Sequence, residues 1–147
     1  MARWKQRQIL PCVDKQRSAA VKVKASEDLT ANALIMATGV SGAHMTVNLA
    51  DVDDLTQSGG TLYVCDFAVA QDKTVACAVP WKLITGINTS AAEAVGQPVY
   101  LSSDGTGTYT LTPTANKPHI KVGHVVADDV TNGAILLNPG AYSGQIG

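Results

Sequence analysis

The side chains of this chain that could do chemistry are few and scattered. Gly39-Val40-Ser41-Gly42-Ala43 falls one residue short of the Gly-x-Ser-x-Gly turn, in which a strained strand-to-helix bend lifts a serine nucleophile above a sheet. That bend needs glycine at its fifth position to pass close to the sheet. Ala43 stands there and no helical pattern follows, so the stretch reads as a surface turn, and a hydrolase built on Ser41 and His44 is a poor reading. His119 and His124 are five apart on a predicted strand, which sends them to opposite faces and keeps them from sharing an ion. No Cys-x-x-Cys or His-x-x-x-His pattern accompanies them, so no metal site is expected. Asp51, Asp53 and Asp54 resemble a fragment of a calcium loop without its glycine and distant glutamate, and read as a solvated turn. Asp128 and Asp129 read the same way. A recombinase or ATPase would need Gly-x-x-x-x-Gly-Lys-Ser/Thr, whose backbone amides cradle phosphates, and the chain has no such run. No catalytic group, cofactor or metal is expected.

The elements that would position these residues are short. Runs of β-branched and aliphatic residues are bounded by Gly, Pro, Asn and Asp, the pattern of a mainly β protein. Val21-Lys22-Val23-Lys24 and Met45 to Ala50 alternate as half-buried strands do. Ser26 to Leu29 has the make-up of a cap for a short helix. Leu29 to Met36 reads as helix or buried strand, with strand or irregular structure preferred because Gly39 and Gly42 follow at once. Thr61–Val69 and Lys73–Val79 form a hairpin around Ala70-Gln71-Asp72. Centred on Gln71, it sets Cys65 opposite Cys77. Three cysteines are too few for a disulfide scaffold, and Cys65 and Cys77 are expected as free, buried thiols. Ser90 to Ala94, with a serine cap and Gly96 as a stop, is the one short helix expected. No repeat of fixed period is visible.

The last large stretch is the most regular. Gly96-Gln97-Pro98-Val99-Tyr100-Leu101 leads to a turn at residues 103–107, where Gly105-x-Gly107 reads as hairpin chemistry, and returns as Thr108 to Thr112. His119 to Val126 and Ala134 to Leu137 follow, separated by Asp128-Asp129 and Asn132-Gly133.

The net charge of −1 hides an uneven distribution. Residues 1–24 carry Arg3, Lys5, Arg7, Lys15, Arg17, Lys22 and Lys24 against Asp14 alone, a balance of +6. Residues 25–147 carry four lysines against eleven acids, a balance of −7. A basic arm on an acidic body is a partner-binding pattern. Residues 1–17 are expected as an extended arm, 18–140 as one β-rich domain, and 141–147 as a Gly-rich tail. Trp4 among Arg3, Lys5 and Arg7 mimics single-strand nucleic-acid binders, but the acidic body would repel a phosphate backbone, so docking on a protein is favoured. No apolar run is long enough to span a bilayer and Ile9 to Val13 is too short for a signal core, so synthesis in a cytoplasm is expected. The sequon Asn88-Thr89-Ser90 would then go unused.

Gly-x-Pro-Val-Tyr-Leu, the Gly/Thr-rich hairpin, Ile120-x-Val122-Gly123-His124-Val125-Val126 and the closing apolar strand resemble the C-terminal half of bacteriophage head decoration, or cement, proteins. The resemblance spans residues 95–137. It implies a small antiparallel β-barrel or sandwich of the β-tulip type, a homotrimer with contacts in the 96–137 unit, and attachment to the major capsid protein outside the expanded shell of the virion. In that setting Arg3, Trp4, Lys5, Arg7, Ile9, Leu10 and Arg17 are the candidate capsid-binding residues of the arm, with neither nucleic acid nor membrane as partner. The alternative is a carbohydrate- or receptor-binding β module of a phage fibre or spike. Such sites usually present several exposed aromatics, and only two Trp and four Tyr are available here.

Overall fold

The computed structural model describes residues 20–54, 61–92 and 94–140. The basic arm, with its seven candidate residues, and the Gly-rich tail lie outside them. The fold is mainly β, a closed five-stranded barrel followed by a curled sheet. The strands are β1 (Val21–Ala25), β2 (Leu34–Ser41), β3 (His44–Leu49), β4 (Leu62–Cys65), β5 (Thr74–Val79), β6 (Lys82–Ile87), β7 (Pro98–Leu101), β8 (Tyr109–Thr110), β9 (Lys121–Ala127) and β10 (Gly133–Leu137).

The barrel runs β1-β3-β2-β4-β5 and closes where β5 meets β1. Four of its five pairings are antiparallel, and β1 with β3 is parallel, so the barrel is mixed rather than purely antiparallel. The second sheet, ordered β6-β10-β9-β7-β8, is antiparallel throughout.

Two apolar clusters hold these parts. The barrel interior is filled by Val23, Ala25, Leu29, Ile35, Val47, Cys65, Val69, Cys77 and Ala78. The other cluster joins Leu34, Met36, Leu62 and Val64, on the outer wall of the barrel, to Ile84, Val99, Leu101, Val122, Val125, Ile135 and Leu137 of the second sheet. Leu34, Ile35 and Met36 are therefore buried on alternate sides of one strand. That explains why the stretch shows no alternation and reads as readily as helix: a strand covered on both faces is apolar throughout.

The barrel contains a pseudo-twofold repeat in which residue i of one unit corresponds to i + 40 of the other. Ala25 N–H donates to Lys73 O, as Cys65 N–H does to Ala33 O. Asp72 N–H donates to Ala25 O, as Asn32 N–H does to Cys65 O. Leu29 and Val69, one of each unit, bond each other reciprocally. Asn32 and Asp72 share the left-handed conformation, at φ 66° and 70°, which these short polar side chains tolerate better than most. Strand registers obey the same offset: Val23 faces Val75 and Tyr63 faces Ile35.

Several local expectations change. Residues 90–92 form a turn rather than a helix. Asn88 Oδ1 accepts from Ser90 N–H (2.9 Å) and Ser90 Oγ–H (2.6 Å). The fully buried Thr89 anchors this turn, donating its hydroxyl to Ala127 O and accepting from Asp129 N–H. These tertiary bonds override the propensity of a five-residue stretch, too short to be helical alone. The short helix instead occupies 52–54, in the expected acidic turn, with Asp51 Oδ1 capping Asp53 N–H at 3.0 Å. Ser26 to Leu29 caps no helix: Glu27 accepts from Asn48 Nδ2 and Leu49 N–H, and Asp28 from Gln71 N–H. In the hairpin, Cys65 faces Ala78 rather than Cys77, one residue off the expected register. The cause is where the paired strands end. The named strand stops at Cys65, one more bond runs from Asp66 N–H to Cys77 O, and Val69 then turns away to bridge Leu29.

Candidate interaction surface

The residues singled out for chemistry fall on strands of the fold and in the segments between them. Gly42 and Ala43 form a two-residue connection, with Ser41 opposite His44. Only Gly42 has positive φ (62°), as in a type II′ hairpin. No hydrogen-bonded triad member stands behind His44 among the described residues. His119 precedes β9 instead of lying on it. Its Nε2 is 3.1 Å from Thr114 O and its ring packs at 5.7 Å against Tyr100. His124 stands mid-strand in β9, opposite Leu136 and Pro98. Among the described residues no three His, Cys, Asp or Glu side chains converge as metal ligands would.

The engaged carboxylates tie loops together. Asp53 pairs with Lys117 at 3.0 Å, and Asp66 with Lys82 at 3.0 Å. Asp129 accepts from the backbone N–H groups of Asn132 and Thr131, at 2.9 and 2.8 Å, and these bonds hold its pKa below the usual carboxylate range. Asp104 is lowered by the Thr106 hydroxyl and then by the Thr106 backbone N–H. Cys65 and Cys77 are free and buried. Burial, then the neighbouring Cys77 thiol, pushes Cys65 up to about 12, and burial raises Cys77 as well. Both stay protonated at neutral pH and act as small core residues.

A hollow of about 350 Å³ lies between the Asn32 turn and β8, lined by Thr30, Ala31, Asn32, Ala33, Thr108 and Tyr109. Its wall is uncharged. Asn32 Oδ1 lacks a hydrogen-bond partner among the described residues, but it is sealed from solvent and cannot meet a molecule in the hollow.

The most distinctive surface is the outer face of the second sheet. The register places Leu83, Leu136, His124 and Pro98 side by side across β6, β10, β9 and β7. Leu83 is 50% exposed and the other three are half-buried. Val126 is exposed on β9, and Trp81, immediately before β6, is 59% exposed. Lys121 stands exposed on β9 opposite Tyr100. β6 is an edge strand, with only β10 beside it among the described residues. An antiparallel sheet with one wet face ordinarily alternates apolar inward and polar outward. Here both faces carry large apolar side chains. The sequence hides this, because Ala134-Ile135-Leu136-Leu137 has no polar member to mark which side faces water. No family model, curated protein or solved structure matches the chain.

Proposed function

We propose that the chain is a structural protein that attaches to the outside of a bacteriophage head and stabilises the expanded shell, as a homotrimer. The observation that carries this reading is the use of its charges. Asp53, Asp66, Glu27 and Asp28 tie separate segments of the body together, and Asp129 closes its own turn, instead of lining a cleft. A body built this way acts through its surfaces. The basic arm of residues 1–17 adds a tether, and the resemblance of residues 95–137 to decoration proteins points to the shell as the partner. Three linked modest contacts hold a trimer far more firmly than one, because the second and third bindings are intramolecular.

The test is co-sedimentation with emptied, expanded heads of the phage that encodes the chain, alongside light scattering. A native mass near three times the 15.3 kDa chain and saturable binding to heads are expected. Deleting residues 1–17 should weaken binding and leave the body folded. Heads that take up none of the full chain would end this reading.

A further inference from the structure

We infer that the outer face of the second sheet, with Trp81 at its edge, seats the body on the protein surface that receives the basic N-terminal stretch, and that this surface is an apolar cleft rimmed by carboxylates. The inference rests on the proposed shell attachment and names the contact face and the chemistry of its partner.

Three observations converge on it. The first is the row of Leu83, Leu136, His124 and Pro98 on the outer face, with Val126 exposed on β9 and Trp81 exposed immediately before β6. Contiguous apolar surface of this kind marks a contact site rather than a wet face, and a central aromatic or aliphatic anchor is what such contacts use. The second is where the rest of the chain begins. Val21 pairs with Ala78, and β5 reaches Pro80, Trp81 and β6 only a few residues later. The nineteen residues before Ala20 therefore join the body beside the connection into this sheet. Fully extended they span on the order of 60 Å, so one partner is within reach of both the stretch and the face.

The third is charge. Among the described residues no Asp or Glu lies on a strand; Asp53 and Asp54 stand in the short helix at 52–54 and the other eight in turns and loops. Of the two lysines on the strands of the second sheet, Lys121 stands exposed opposite Tyr100, whereas Lys82 lies opposite the buried Leu137 and pairs with Asp66. The face is thus apolar with Lys121 as its cation, and the stretch that joins beside it is basic too. Its complement is apolar and acidic. A phosphate backbone would satisfy Lys121 and leave the apolar row wet, so a protein is the better occupant.

The experiment measures binding of the full chain to expanded heads by co-sedimentation. The variants are Trp81→Ser with Leu83→Ser, Lys121→Glu, and Val40→Ser, the last removing a 75% exposed side chain from the barrel. The double variant should bind about tenfold more weakly or worse, by the usual loss at a contact anchor. Lys121→Glu should also weaken binding, and Val40→Ser should bind as the unaltered chain does. Trp81 and Leu83 are exposed enough for the double variant to keep its melting midpoint, which is measured alongside. Unchanged binding by the double variant, with the full chain still bound, overturns the inference and leaves shell attachment standing. Tighter binding by Lys121→Glu overturns the acidic partner. Displacement by duplex DNA would assign the face to nucleic acid and overturn it too. Failure of the full chain to bind heads removes both readings together.

Discussion

The carboxylate of Asp129, read from the sequence as a turn residue, closes the turn between β9 and β10 by accepting two backbone N–H groups, and these favour its charged form. The folded pKa therefore lies below the unfolded value of about 3.9. A depressed carboxylate adds stability above the unfolded pKa and loses it as pH falls through the folded one. The melting midpoint of Asp129→Asn should lie below that of the unaltered chain at pH 7, and the gap should close as pH falls below about 4. A gap that persists at pH 2 would mean the charge of Asp129 is not the source. Asp104 lies on the same side of the ledger through Thr106. Both residues were legible as turn formers, because Asp followed two residues later by Thr or a backbone donor is ordinary turn chemistry.

At the scale of elements, strands were legible wherever one face meets water. Val21 to Lys24 and Met45 to Leu49 alternate and fold as read. Less legible were features set by distant partners. The helix expected at Ser90 to Ala94 yields to the buried hydroxyl of Thr89, which bonds β9 and its turn nearly forty residues on. The cysteine register moves by one because Val69 has a partner in Leu29, which no local pattern reveals. The outer sheet face was illegible for the converse reason: β10 is apolar at every position after its glycine, so sequence cannot tell which side chains the core takes. Gly123, prominent in the resemblance to decoration proteins, has a plain mechanical role. A side chain there would press on the backbone of Leu136 and Leu137, with Leu137 Cα only 3.1 Å from the added carbon. Gly123→Ala should lower stability by about 2 kcal/mol or more, as overpacking against backbone does. Denaturant titration measures it, and an unchanged midpoint would show that β9 and β10 can part without penalty.

On the scale of the whole molecule, the barrel and the second sheet share one core. Leu34 and Val64 point from the barrel wall into the cluster that also holds Val99, Ile135 and Leu137. Leu34→Ala should cost about 2 to 5 kcal/mol, the range for a fully buried leucine. The loss should move one transition rather than split it. Tryptophan emission and far-ultraviolet circular dichroism should therefore report the same midpoint before and after the change. Two separated midpoints would show that the sheet holds itself together without the barrel.

The pseudo-twofold barrel also bears on how fast the chain can find its fold. Each unit completes the other: β1 pairs with β5, and β4 pairs with β2. Val23 must meet Val75, and Leu29 must meet Val69, before either left-handed turn has its partner across the barrel. Such closures lose chain entropy before any contact rewards them, and a high share of distant pairings slows folding from microseconds toward the range of milliseconds to seconds. The β2–β3 hairpin, closed by two residues, can form early and wait. The rate belongs to the moment when the two units, forty residues apart, interlock.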